Sequence, residues 1–246
     1  MRIRRVAGRP VGAGTLGLVA AGGVLIGVGA AAMIAARLGV TPWDVLTTAV
    51  SDRAGVSVGV AGAALSVAVY LLCAPFGRLP GWGNAVLLVT VSGAVDAGLA
   101  VLGEPGPTAG RLLLYGVGVP VVCLGVALIV RADIGVGPLE MVMLVATDRS
   151  VPLVRARVAI EATTLTVGWA LGGALGLGTA GFALAAGPLI AGSLRLLDAG
   201  RGGRVARAER PRSGARGQEL EAGDGQVAQH GEAGGHRGGG HDRPAG

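Results

Sequence analysis

Long apolar runs separated by short polar or glycine-rich segments make up most of residues 1–198. A helix needs about 20 apolar residues to cross a bilayer. Six runs come close to that length, and only the fifth carries several charges, Arg155, Arg157 and Glu161. The predicted spans are 15–36, 56–76, 82–103, 112–130, 154–173 and 177–197. The pattern therefore predicts an all-α, polytopic membrane protein with six transmembrane helices.

The composition agrees with this class and divides the chain in two. Hydrophobic residues make up 51% of the chain and charged residues only 15%, which excludes a chain disordered throughout and argues against a soluble enzyme. The membrane domain is predicted over 1–198. Residues 199–246 hold 14 glycines and 8 arginines without apolar periodicity, so they are predicted to form a disordered cytoplasmic tail. Because the arginines lie mostly at segment ends and in this tail, with no aromatic residues between them, no nucleic-acid partner is expected.

The placement of arginine predicts the orientation of the spans. All 21 basic residues are arginine, and 13 of them lie in residues 1–198. If the N-terminus is cytoplasmic, only Arg37, Arg53 and Arg111 of these lie outside. Loops on the cytoplasmic side of a membrane carry the excess of positive charge. Both termini are therefore predicted to be cytoplasmic.

The membrane domain contains an internal repeat. Residues 39–53 align with 135–149 at an offset of 96, and five of the fifteen positions are identical. After one deletion, residues 81–84 align with 176–179. The matches include Pro, Asp and Arg, which a background rich in Gly, Ala and Val does not readily supply by chance.

The repeat predicts two halves, 11–105 and 111–198, with three spans each. An odd number of spans inverts the second half relative to the first in the membrane. Inverted repeats with Gly/Pro-interrupted segments at matching positions are typical of secondary transporters, whose sites lie near the bilayer midplane.

The repeated loop predicts a short helix over 42–53, with Thr41 as its N-cap and Pro42 in its first position. At about 1.5 Å per residue this helix is too short to span a bilayer. This helix either lies flat in the interface or enters the membrane as a re-entrant half-helix. Pro42 and Asp44 correspondingly either form a gate or only cap a surface helix. The candidate gate residues of the two copies are Pro42, Asp44, Pro138 and Glu140.

Three charged residues in predicted spans are candidates for binding a substrate or a proton: Asp96, Arg157 and Glu161. Asp96 lies well inside the third span, where an ionised carboxylate costs about 2.5–3.5 kcal/mol. Arg157 and Glu161 have the i, i+4 spacing of a helical ion pair. A structural explanation stays open for each: a hydrogen-bonded helix–helix contact for Asp96, and an interfacial ion pair for Glu161.

The missing residue types exclude several kinds of chemistry. The predicted spans contain neither histidine nor lysine, so they offer no histidine-based catalysis, no zinc ligation by histidine and no Schiff base. No catalytic residue, metal site or cofactor is expected, and the protein is predicted not to be an enzyme.

Several motifs together resemble the YczE-like (YczE/YyaS/YitT) family of bacterial integral membrane proteins over about 36–190. They are Leu38-Gly39-Val40-x-Pro42-Trp43-Asp44, Gly135-x-Gly137-Pro138, Arg157-xxx-Glu161, Gly168-Trp169-x-Leu171-Gly172-Gly173, Gly176-x-Gly178-Thr179 and Gly187-Pro188. The chain departs from the pattern at Asn84, Leu139 and Glu140. The resemblance implies a protein of the bacterial inner membrane and leaves its activity open.

Two functions follow as hypotheses. The first is a transporter or permease for a small solute of unknown identity. The alternative is a scaffold or accessory protein that does not transport and whose glycine-rich faces bind partner helices. The expected partners are the lipid bilayer and a small solute, and a second copy or another membrane protein stays open.

Overall fold

The computed structural model describes residues 12–103 and 106–208. The described part is helical and contains no strand. Its helices are α1 (Ala13–Ala36), α2 (Pro42–Ala54), α3 (Val58–Cys73), α4 (Trp82–Leu102), α5 (Thr108–Ala132), α6 (Pro138–Asp148), α7 (Leu153–Ala170) and α8 (Leu177–Ala208). A 3-10 turn, Ala74–Phe76, extends α3. Helix α8 continues past residue 198, and the rest of the predicted tail, 209–246, lies outside the described residues.

The two halves have the same order of elements. In each half a long helix is followed by a short one and then by two further helices. Backbone positions with positive φ also recur. Arg37 and Asp133, which end α1 and α5, have φ of 53° and 52°. Further pairs are Gly39 and Gly135, Gly55 and Ser150, and Gly77 and Gly172. These pairs are 96, 95 and 95 residues apart, which continues the offset and the single deletion found in the sequence.

Five helices are long and apolar enough to cross a membrane: Ala13–Ala36, Val58–Phe76, Trp82–Leu102, Thr108–Ala132 and Leu177–Asp198. They correspond to five of the six predicted spans. The remaining span corresponds to α7, which is helical over 18 residues but contains three charged residues. Many large apolar side chains of these helices are exposed, Leu71, Val101 and Leu184 among them. Such a surface is suited to lipid rather than water.

Helix α1 is packed between α4 and α5, and its glycines make both contacts. A Cβ added at Gly27 would lie 2.6 Å from the Val91 carbonyl oxygen of α4. On the other side, a Cβ at Gly22 or Gly29 would lie within 2.9 Å of a backbone oxygen of α5. Small residues that let helix backbones approach closely are the usual basis of helix packing in membranes.

The short helix α2 is buried with its polar face inward. Asp44, Thr47 and Ser51 are buried, whereas the apolar residues on the opposite face are only half-buried. The predicted N-cap is confirmed, because the Thr41 hydroxyl accepts a hydrogen bond from the Asp44 amide at 3.2 Å. A helix lying on the surface of a soluble protein would bury its apolar face instead. Helix α2 therefore packs against the rest of the protein through its polar face.

Candidate functional site

The loop before α2 packs against the start of α8, which belongs to the other half. The Gly178 amide donates to the Leu38 carbonyl at 2.8 Å. The Val40 amide donates to the Thr179 hydroxyl at 3.1 Å. The Tyr115 hydroxyl of α5 donates to the Gly178 carbonyl. We call this contact between residues 38–41 and 176–179 the first crossing.

The loop before α6 makes the corresponding contact with the start of α4. The Asn84 side-chain amide donates to the Val136 carbonyl at 2.7 Å, and the Tyr70 hydroxyl donates to the same oxygen at 3.0 Å. A Cβ at Gly135 would lie 2.7 Å from the Gly83 carbonyl carbon. This second crossing joins residues 81–84 to 134–137. It uses the positions that the repeat pairs with those of the first crossing.

Asp44 lies at the N-terminal end of α2, next to the first crossing. Its carboxylate accepts a hydrogen bond from the Thr41 hydroxyl at 2.6 Å. Helix α2 is not one of the five candidate spans, and Asp44 is only 8% exposed. Burial raises the pKa of Asp44 to about 6, and hydrogen bonds from Thr41 oppose that rise. Asp44 is thus a buried carboxyl that is able to take up a proton near neutral pH.

Glu140 holds the equivalent position at the start of α6, which also lies outside the five candidate spans. Part of the residue is exposed, but the surrounding protein displaces much of the water around its carboxyl and raises the pKa. A backbone hydrogen bond of Glu140 and the charge of Arg157 lower that pKa, whereas the charge of Glu161 raises it. The predicted pair within α7 is formed, with Arg157 Nε donating to Glu161 Oε1 at 2.9 Å. Three of the candidate residues therefore act on one another where α6 meets α7.

Asp96 lies apart from Asp44 and from the group of Glu140, Arg157 and Glu161. It contacts the start of α3. Its carboxylate accepts hydrogen bonds from the Ser57 hydroxyl at 2.6 Å and from the Gly59 amide at 2.7 Å. The first amides of a helix lack partners within the helix, and a carboxylate is a favoured acceptor there. This contact gives Asp96 a structural role.

Sequence reasoning did not identify the hydrogen-bonding residues of the crossings, Tyr70, Tyr115 and Thr179, as functional. Two signals were present: Thr179 lies in a repeated motif, and Asn84 is a departure from the family pattern at the matching place. The partners of both residues lie in the opposite half, so only the fold brings them together.

Arginines collect at two ends of the domain. At end A, Arg111 donates to the carbonyls of Ala36 and Arg37, and Arg53 Nε donates to the Leu171 carbonyl at 2.9 Å. End B holds the Arg78–Asp148 ion pair, and the Arg149 guanidinium lies 3.9 Å from the centre of the Phe76 ring. A cavity of about 460 Å³ opens at end A.

These helices, with their outward-facing apolar surfaces and buried polar loops, define an integral membrane protein. The family profile described as "Family of unknown function (DUF6198)" matches residues 14–194. The chain therefore belongs to that family.

Two relatives agree with this assignment. An uncharacterized protein of Haemophilus influenzae is 26% identical over 169 residues, which is 68% of this chain and 77% of that protein. The uncharacterized membrane protein YczE of Bacillus subtilis is 26% identical over 162 residues, which is 65% of this chain and 75% of YczE. No solved structure matches the chain. The resemblance to YczE-like proteins that the motifs indicated is confirmed.

Proposed function

We propose that this protein is a small-solute transporter of the bacterial inner membrane, built from two inverted halves. The observation that carries the proposal is the reciprocity of the two crossings. Gly39 and Val40 of the first half meet Gly178 and Thr179 of the second. Their repeat equivalents, Gly135 and Val136, meet Gly83 and Asn84 of the first half. Each crossing thus joins the same two segments of the repeat, one from each half.

The packing of α1 on α5 supports the inverted arrangement. Gly22 faces Gly125, and Gly29 faces Gly118. The earlier residue of one helix meets the later residue of the other, so the helices are antiparallel. Because the repeat pairs position 22 with 118 and position 29 with 125, the contact is also self-complementary, as at a two-fold axis. For two spanning helices such an axis lies in the plane of the membrane, as in transporters with inverted repeats.

The two crossings supply the parts that transport requires. Asp44, which is buried, and Glu140, which is partly exposed, stand at equivalent positions next to irregular backbone. In membrane proteins such backbone is tolerated where it is enclosed by protein or lines a water-filled cavity. Both carboxyls have raised pKa values, so they are suited to exchanging a proton with a passing solute. In this proposal α7 completes the six spans, and its Arg157–Glu161 pair faces Glu140 at one end of the pathway.

The positions of the arginines indicate which end of the membrane domain faces the cytoplasm. End A holds Arg37, Arg53 and Arg111, the three that the sequence assigns to the outside, and end B holds arginines assigned to the cytoplasm. End A is therefore proposed to face outward and end B to face the cytoplasm.

Cysteine labelling tests the inverted arrangement. In a background with Cys73→Ser and Cys123→Ser, single cysteines replace Leu175 at end A and Leu79 at end B, which are 52% and 75% exposed. A membrane-impermeant thiol reagent is expected to label position 175 only from outside and position 79 only from inside. Labelling of both from one side contradicts the inverted halves.

Transport is tested in vesicles that contain the full chain and an internal pH-sensitive dye. We expect one of a panel of amino acids and amines to drive proton movement, and Asp44→Asn to abolish it while the protein stays monodisperse in detergent. If no solute drives movement above that of protein-free vesicles, while labelling supports two inverted halves, the accessory-protein alternative is favoured.

A further inference from the structure

Two positions that the repeat makes equivalent carry different residues. Gly77 and Gly172 share a positive φ, so the residues that follow them, Arg78 and Gly173, correspond. At end B the Arg78 guanidinium meets the Asp148 carboxylate through two hydrogen bonds, from Nε and from Nη2, of 2.8 Å each. The Arg78 side chain is only 27% exposed, so protein surrounds most of it.

The equivalent place at end A lacks the arginine. Asp52 corresponds to Asp148, and Gly173 leaves no side chain to meet it. None could be accommodated there, since a Cβ at Gly173 would collide with the Val45 carbonyl oxygen and lie 2.9 Å from that of Gly168. Among the described residues, none forms a hydrogen bond or an ion pair with the Asp52 carboxylate.

A cavity lies beside Asp52, where the second half holds no counterpart of the Arg78 side chain. Its volume is about 460 Å³, within the range of about 300–1,000 Å³ of small-molecule sites. Its polar lining includes Asp52, Thr48 and Arg37. The apolar walls come from both halves, with Val58 from the first and Leu175 from the second.

We propose that this cavity binds a small cationic solute, whose guanidinium or ammonium group pairs with Asp52 as Arg78 pairs with Asp148. The Thr48 hydroxyl, which donates to the Asp44 carbonyl, lines the same cavity. This inference rests on the proposed transport function, because it names the class of solute that enters from end A.

Binding of free arginine to the purified full chain in mild detergent, measured by isothermal titration calorimetry, tests the site. Citrulline replaces the guanidinium with a neutral group of similar shape, and agmatine lacks the carboxylate. Arginine is expected to bind, and citrulline to bind about 2- to 5-fold more weakly. Agmatine keeps the guanidinium and is expected to bind at least as tightly as arginine. The factor follows from about 0.5–1 kcal/mol for a partly exposed ion pair.

Two variants separate this site from a general effect of charge. Asp52→Asn keeps the shape of the side chain and removes its charge, so arginine affinity is expected to fall about 2- to 5-fold. Asp198→Asn removes one acidic charge from a residue that pairs with Arg131 and has a 75% exposed side chain, and it should leave the affinity unchanged. Bound arginine should also slow thiol labelling of a cysteine placed at Leu175.

Unchanged affinity in a monodisperse Asp52→Asn variant, or equal binding of citrulline, overturns the assignment, as does a wild-type chain that binds no arginine. These failures leave the inverted halves intact if positions 79 and 175 still label from opposite sides. Conversely, arginine binding that depends on Asp52 without any flux in vesicles supports the site and contradicts the transporter.

Discussion

The first crossing depends on Gly39, and replacing this residue by alanine tests the structure most directly. Gly39 has φ of 134°, a conformation that residues with a side chain rarely adopt. Its added Cβ would meet the Thr179 amide nitrogen and lie 2.9 Å from the Gly178 carbonyl carbon. Backbone strain at positive φ costs about 1–2 kcal/mol, and overpacking a tight contact adds about 1–3 kcal/mol. Gly39→Ala should therefore lower the free energy of unfolding by about 2–5 kcal/mol.

Two other glycines separate strain from close contact. Gly55 has φ of 65° with no atom within 4 Å of an added Cβ, so Gly55→Ala should lose only the strain of about 1–2 kcal/mol. Gly17 lies within α1 with open space around it. Gly17→Ala should gain about 0.5–1 kcal/mol, because alanine is the better helix former.

The assay is an SDS titration of each variant in mild detergent, with unfolding followed by tryptophan fluorescence. The expected order of stability is Gly17→Ala, wild type, Gly55→Ala and then Gly39→Ala. Gly135→Ala, at the second crossing, should behave like Gly39→Ala, since its Cβ would lie 2.7 Å from Gly83. A Gly39→Ala variant no less stable than Gly55→Ala would mean that the two loops are not in close contact.

The remaining predictions use the same titration. Because burial raises the pKa of Asp44 to about 6, the unfolded chain loses this proton at lower pH than the folded protein, so stability should fall as pH rises from about 4 to 6. Asp44→Asn should flatten that fall, and an unchanged slope contradicts the assignment to Asp44. Asp96→Leu should lose about 1–3 kcal/mol because it leaves the start of α3 without its acceptor, and Asp96→Asn should lose less. Solute flux should survive in the asparagine variant, and its loss in a folded protein would return Asp96 to the mechanism. A double-mutant cycle on Arg78 and Asp148 should give about 0.5–1 kcal/mol of coupling, as for other partly exposed pairs, and zero coupling contradicts the ion pair.

The helices were predictable because their ends are specified locally. Thr41 and Pro42 begin α2, and Gly55 ends it in the left-handed conformation that glycine favours. The apolar runs likewise gave five of the spans within a few residues. The predicted span over 154–173 corresponds to α7, which is not among the five because it contains Arg155, Arg157 and Glu161.

The roles of the acids could not be predicted, because they depend on contacts between distant segments. Asp96 is a mid-span carboxylate in the sequence, yet its partners, Ser57 and Gly59, lie at the start of another helix. Asp44 is a capping residue in the sequence, and it becomes a buried carboxyl because α2 turns its polar face inward. A periodic pattern shows that a helix has two faces. Which face is inward depends on whether the surroundings are water or lipid.

The proposed inverted halves also explain why the two ends differ. If the halves exchange conformations, the cavity at end A closes and an equivalent cavity opens at end B. The opening at end B requires the Arg78 guanidinium to leave Asp148. The side chain of Asp148 is 50% exposed, so the pair contributes only about 0.5–1 kcal/mol, which thermal motion readily supplies. The crossings need not break, because both are formed in this structure and the repeat exchanges one for the other. One ion pair, absent from end A because Gly173 stands where Arg78 would be, is thus enough to favour the state that is open at end A.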